Sequence, residues 1–423
     1  MAGPGSSASV GALVEHLFRH ESGRLVAALV RRLGVEHFDL AEDAVQDALM
    51  QALRRWPFHG VPPAPGAWLF TVARHRAVDR LRRARRGEEA ERLAALEGAG
   101  HAEPEAAAGH DSVALLLLCS HPALSADAAI ALTLHAVGGF SAGEIARGLL
   151  LTEATVAQRL VRVKRQLRDL RLAPDEGARS GALAQRRDRV LAVLHQLFTQ
   201  GYAAATGDAV VRMDLCREAL RLVRLVAAHP EGDAPDTHAL AALVALQSAR
   251  MPTRADAQGD VVLLPDQDRS RWDRDLMALG FRHLERAARG GGLTRYHLEA
   301  QVAALHTAAP SFEATDWPTI LTAYDRLQQV APGSVTALNR AVAVAMVHGA
   351  EAALAALAPS RADPALAHYP WLHAVSGWLH DRAGDAGAAA ADYARAAGQS
   401  GNEAQQRLLR RLARAMDDRV DPA

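Results

Sequence analysis

The stretch SAGEIARGLLLTEATVAQRLVRVKRQLRDL, residues 141–170, reads as a short capped helix, a tight turn and a longer basic helix. Ser141 followed by Glu144 is a capping box, in which hydroxyl and carboxylate each take a backbone N–H that a helix start leaves unpaired. Ile145, Ala146 and Leu149 then give the first helix an apolar side. Thr152 is placed to cap the second helix, and Glu153 suits the positive end of its dipole. Val156, Leu160, Val163, Leu167 and Leu170 recur at steps of four and three, the period of one helical face. At about 100° per residue, Thr155, Gln158, Arg162 and Arg165 fall on the opposite face, with Arg159 beside them. One docking face and one free basic face make the helix-turn-helix pattern, whose second helix enters the DNA major groove. The bland alternative is a solvated amphipathic hairpin.

Working outward, charge is blocked along the chain. The 423 residues carry 48 basic and 48 acidic side chains, so no global polyanion signature exists. Residues 11–86 hold 13 Arg against 8 Asp/Glu, residues 87–111 one Arg against 7, and residues 141–173 hold 7 Arg/Lys against 3. Two basic modules therefore flank an acidic connector. Lys164 is the sole lysine, so arginine richness alone carries little weight. The two cysteines, Cys119 and Cys216, form no CxxC pair, which fits a reducing compartment and gives no zinc site. The N-terminus MAGPGSSASVG lacks an apolar signal core, and Leu115–Leu118 is too short to span a bilayer, so a cytoplasmic location without membrane contact is expected.

Strand signals are nearly absent, and the chain reads as all-α. Helices are predicted at about 10–33, 39–56 and 66–86, then across 112–172. DEGARSGA (175–182) reads as a boundary before a long helical region. The expected organisation is a first domain over 10–86, a flexible acidic linker over 87–111, a helix-turn-helix domain over 112–173 and a helical extension over 183–420. Near the end of the extension, Gly349 and Gly384 recur 35 residues apart. Gly377, Gly384, Ala389, Tyr393 and Ala396 follow tetratricopeptide spacing, a repeat that stacks into concave protein- or peptide-binding surfaces. An alanine-rich bundle with turn glycines is the alternative.

The helix predicted from Ala67 places Phe70, Ala73, Ala77, Leu81 and Ala84 on one side, and His75, Asp79, Arg82, Arg83 and Arg86 away from it. PFHGVPPAPG (57–66) precedes it as a Pro/Gly loop bearing Phe58 and His59. A basic helix entered from a rigid loop with an aromatic suits melted DNA, where cations follow the backbone and side chains hold unstacked bases. A solvated arginine face is the alternative. The preceding helix, DLAEDAVQDALMQALRRW (39–56), presents Asp43, Gln46 and Asp47 beside Val45, Leu49 and Leu53, which are expected to be buried. An acidic patch there suits a protein partner better than DNA.

DLAEDAVQDALMQAL and PGAWLFTVARHRAVDRLRR resemble the region-two helices of extracytoplasmic-function sigma factors, and 141–170 resembles their region-four helix-turn-helix. LLLLCSHPALS (115–125), LLPDQDRSRWDRDL (263–276) and TALNRAVAVA (336–345) extend the resemblance to the group with a long tetratricopeptide-like C-terminal extension. The resemblance implies a subunit that gives core RNA polymerase its promoter specificity, with no cofactor and no catalytic residue of its own. It implies that Asp43, Gln46 and Asp47 dock on the polymerase clamp helices. Trp68, Arg74, His75, Arg82 and Arg83 fall in the part that opens and reads the minus-ten element; His75 stands where the family often has Asn. Thr155, Gln158, Arg159, Arg162 and Arg165 fall in the helix that reads the minus-thirty-five element. The acidic linker is implied to lie in the polymerase RNA path, and the factor to join the nucleoid within the holoenzyme.

In the extension, PDQDRSRWDRDL has the densest alternation of charge. Asp268, Arg269, Arg271 and Trp272 could receive a signal protein or latch the extension, or Asp268 and Ser270 could cap a helix whose Trp272 packs inward. Enzyme chemistry fares poorly. His16, His20 and Glu21 do not make HExxH and lack a third ligand, and no phosphate loop, nucleophile elbow or dinucleotide fingerprint is present. Two other classes compete: a helix-turn-helix regulator that works without polymerase, and a tetratricopeptide-type scaffold.

Overall fold

In the computed structural model the described residues are 22–84, 104–149, 151–170, 181–203, 206–207 and 210–420. They form two compact units, Met1–Gln196 with Ala228–Gly232, and Leu197–Ala227 with Asp233–Ala423. His16, His20, Glu21, Arg86 and most of the acidic linker lie outside the described residues.

In the first unit, helix α1 (22–33) ends where Gly34 takes φ 96° and returns its N–H to the Val30 carbonyl at 2.8 Å. That conformation is open to glycine and strained for other residues. Helix α2 (Phe38–His59) buries Ala41, Ala44, Val45, Ala48, Leu49, Ala52 and Trp56. The run of alanines lets α3 (Pro65–Ala84) approach closely, and α3 buries Leu69, Ala73, Ala77 and Val78 against it. The face of α3 is thus turned from the expected one: Phe70 and Leu81 stay partly exposed. Leu53, expected inside, is 40% exposed. The anticipated loop at 57–66 also starts later, because Pro57, Phe58 and His59 complete the last turn of α2 before Gly60 ends it.

Helix α4 (Pro104–Cys119) begins inside the expected linker, with proline at the position where its missing N–H costs least. Helix α5 (Ala126–Ala136) is capped by the Ser125 hydroxyl and is apolar on nearly every side, the mark of a central helix. Around it pack α6 (Ala142–Leu149) and α7 (Glu153–Asp169). Helix α8 (Ala182–Tyr202) follows.

The second unit is built from consecutive helices: α9 (Met213–Ala228), α10 (Pro235–Ala249), α11 (Arg274–Ala287), α12 (Arg295–Ala308), α13 (Trp317–Val330), α14 (Ser334–His348), α15 (Ala350–Arg361), α16 (Pro370–Arg382), α17 (Ala386–Gln399) and α18 (Glu403–Val420). Neighbours in sequence pack as pairs, α14 on α15 and α16 on α17. Gly349 (φ 91°) and Gly384 (φ 86°) make the sharp turns within those pairs, as the repeat spacing predicts. Gly377 lies where an added Cβ would meet the Tyr393 ring at 3.0 Å, which explains a glycine in mid-helix. The sole sheet among the described residues is a two-residue parallel ladder, Thr206 opposite Gly401 and Gly207 opposite Asn402.

Candidate nucleic-acid and polymerase interface

The hairpin forms as its residues dictate. Glu144 N–H donates to Ser141 Oγ at 3.2 Å, and Ser141 N–H donates to Glu144 Oε2 at 2.9 Å. Thr155 N–H donates to Thr152 Oγ1 at 3.1 Å, fixing the start of α7. Val156, Leu160, Val163 and Leu167 are buried, and Leu170 partly so. On the opposite side Thr155, Gln158, Arg162 and Arg165 are exposed, with Val161 68% exposed between them. Two of the expected DNA contacts are partly engaged at home. The Thr155 hydroxyl is 2.8 Å from that of Thr152, and Arg159 is 3.7 Å from Asp127.

On α2, Asp43 and Asp47 stand one turn apart and share Arg80 of α3, at 2.7 and 2.8 Å. Gln46 is exposed beside them. The sequence reading missed Arg80, because a partner more than 30 positions away leaves no periodic trace. Trp68 is half-buried with its ring 5.5 Å from that of Trp56. Arg74 is partly buried, His75 and Arg82 are exposed, and Arg83 is placed only by its backbone on α3. Phe58, at the end of α2, is 84% exposed.

A second network was also missed, and it joins the region-two helices to the hairpin. Glu42 on α2 has a side chain only 11% exposed, bonded by Lys164 of α7 and 3.2 Å from His135 Nε2 of α5. Lys164 also lies 3.5 Å from Asp39, and Arg168 reaches Asp39 at 3.1 Å. Burial alone would raise the Glu42 carboxyl, but the His135 hydrogen bond and the His135 and Lys164 charges outweigh it and hold it below its usual range. A cleft of 190 Å³ lies beside the network, lined by Val45, Gln46 and Leu49 from α2 and by His135 and Phe140 opposite. Cys119 is wholly buried nearby and burial raises its thiol far above the ordinary value, which makes it inert. Among the described residues no group of three or more His, Cys, Asp or Glu side chains could hold a metal ion.

In the extension, PDQDRSRWDRDL forms a helix junction. Asp268 accepts from the Ser270 N–H at 3.0 Å, and Asp273 caps α11. Trp272 is buried, donating Nε1–H to Thr253 Oγ1 at 3.0 Å. Arg269 bonds the carbonyls of His306 and Ala309 at the end of α12, whereas Arg271 is exposed.

A capped helix-turn-helix with a free basic face, preceded by a helical module with an acidic patch and a basic helix, is the architecture of a sigma-70 factor. The sigma-70 region 2 family matches residues 18–87, and the sigma-70 region 4 family matches 114–167. A third family, described as of unknown function, matches residues 186–288. The chain belongs to the sigma-70 factors, as an extracytoplasmic-function-like member with a helical C-terminal extension. A protein of Rhizobium meliloti (strain 1021), itself described only as uncharacterized, is 35% identical over 405 residues, covering 91% of this chain and 93% of its own. No solved structure matches. The protein is therefore a factor for transcription initiation that binds core RNA polymerase and promoter DNA, in a family of regulatory DNA-binding proteins. No helix among the described residues is long and apolar enough to cross a membrane.

Proposed function

We propose that α7 reads the upstream promoter element with Gln158, Arg162 and Arg165, while Val161 offers an apolar contact of the kind that meets a thymine methyl group. Thr155 and Arg159 contribute after leaving their present partners. The other grip is α3, with His75, Arg74, Arg82 and Arg83 along melted DNA and Phe58 as the aromatic nearest to it. Trp68 supports that helix by packing on Trp56. Asp43, Gln46 and Asp47 meet the polymerase clamp, with Arg80 exchanged for a cation of the enzyme.

The observation that carries this reading is the coexistence of a solvated DNA-reading face with a closed network on the adjoining side of the same helix. Promoter elements named minus-ten and minus-thirty-five lie about 25 base pairs apart, about 85 Å at 3.4 Å per base pair. Contacts of 3.1–3.5 Å between Asp39 or Glu42 and the hairpin domain must therefore open before both grips engage. Polymerase binding supplies that opening, and the extension tunes its probability.

In vitro transcription on the gene's own upstream region, with core polymerase and either the full chain or a chain ended after about residue 180, tests the reading. Specific initiation with the full chain and a strong change on truncation are expected. Absence of both holoenzyme and specific initiation would refute the assignment of the grips. Unchanged output on truncation would refute control by the extension alone.

A further inference from the structure

The second unit holds a concentration of guanidinium charge that the sigma function does not use. Arg250 ends α10, Arg254 follows it, and Arg269 belongs to the helix junction. None of the three forms an ion pair among the described residues, although all are partly buried. Arg254 lies over the Tyr202 ring at 4.0 Å and donates to the Tyr202 carbonyl, with Arg250 at 6.0 Å from the same ring. Arg269 stacks on Trp272 at 4.7 Å, and its Nη1 is spent on the end of α12. His306, on that same turn, packs edge-on to Trp317 at 5.2 Å.

Three nitrogens of this group are shut off from solvent with no hydrogen-bond partner: Arg250 Nε, Arg269 Nη2 and His306 Nδ1. Buried polar groups in folded proteins are nearly always paired, and buried charges more strictly so. Three orphans in one cluster therefore point to a missing acceptor. The acidic residues whose charge reaches the cluster are Glu313, toward Arg269, and Glu299, toward Tyr324; neither forms an ion pair with the three arginines, and Glu299 is paired with Arg295. Burial, then Arg250 and Arg269, push His306 down to about 3, so its imidazole is neutral at physiological pH and can donate one N–H without adding charge. Arg250, Arg254 and Arg269 supply forked donors suited to planar or tetrahedral oxyanions. Tyr202 and Trp272 hold two of those forks by stacking and so limit the entropy lost on binding.

We propose that the extension carries a binding site for a small doubly charged oxyanion, a phosphate or dicarboxylate group, formed by Arg250, Arg254, Arg269 and His306. None of the four residues is fully buried. Occupancy would supply the acceptor these donors lack and tighten the junction between α10, α12 and the Arg269 segment. The site belongs to the second unit and uses none of the residues assigned to the promoter grips, so its test does not depend on how those are assigned.

The experiment is isothermal titration of the full chain with inorganic phosphate and, separately, with succinate, against sodium chloride at equal ionic strength. Thermal melting is followed in parallel. One saturable site is expected, with a melting temperature raised on the order of 5 °C at a hundredfold excess over Kd. Preference for phosphate or for succinate assigns the chemistry of the natural ligand. Arg250→Met should weaken binding at least tenfold, and Arg254→Met should do so independently if the first variant fails to fold. Each, without anion, should melt no lower than the parent, because an unpaired charge has been removed. Absence of saturable binding by both anions, or unchanged affinity in a folded variant, would overturn the proposal.

Discussion

Arg162 and Arg165 stand on the exposed face of α7, where nothing among the described contacts competes with DNA for them. Replacing either with alanine should weaken holoenzyme binding to the upstream element by about 1–3 kcal/mol per base-reading contact, and relax preference at the base it meets. Titration of labelled promoter variants distinguishes this from a phosphate contact, whose loss weakens all sequences alike. Glu42 makes a second prediction at this scale. Its carboxyl sits below the ordinary value of 4.5, so the stability it contributes is complete above that pH and is lost as pH falls through the lowered folded value. Melting of the first unit should accordingly drop below about pH 4.5, and Glu42→Gln should flatten the acid limb. The same variant leaves Lys164 without its main partner and should cost about 3 kcal/mol at neutral pH, the usual penalty for breaking a buried pair.

Helices and turns show which patterns can be trusted at the level of the element. The capping box at Ser141 and the cap at Thr152 formed as read, because both depend on atoms three residues apart. Ser141→Ala should destabilise the hairpin by about 1 kcal/mol, measured by denaturant unfolding. The turn glycines at 349 and 384 also formed as read, since their backbone angles exclude most other residues. Gly377→Ala should be worse than a helix propensity scale implies, by about 1–3 kcal/mol, because its Cβ would press on the Tyr393 ring and on the Ala389 carbonyl at 3.2 Å. Where two faces of a helix are similarly apolar, the pattern misled. On α3, Phe70 and Leu81 were expected inside, yet Leu69 and Val78 are the more deeply buried. Alanines lie at the shared centre of both faces, so the period alone does not choose between them.

For the whole molecule, α3 and α7, the helices proposed as DNA grips, sit in one compact unit with the region-two helices latched to α7. Fluorescence transfer between labels on α3 and α7 should be high in the free factor and fall when core polymerase is added. Lys164→Gln should lower it beforehand and raise the apparent affinity for core several-fold, since a closed population reduces apparent affinity by the open fraction. Unaltered transfer on binding polymerase would mean that the grips separate by no more than the labels resolve, against the geometry of an extended promoter. Deleting the extension changes transcription if it biases this opening.

The sequence by itself determined the all-helical class, the helix-turn-helix, the order of basic, acidic and basic modules, and the exposed face of α7. Each follows from local rules: hydrophobic period, caps, charge blocks and backbone angles act within a few residues. Only the tertiary structure decided that Arg80 holds Asp43 and Asp47, and that Lys164 closes on Glu42 across 122 positions. It also decided that three arginines of the extension gather with His306 and no carboxylate partner. Long-range pairing depends on how helices are brought together, and a helical period fixes which face is buried without fixing what it will meet.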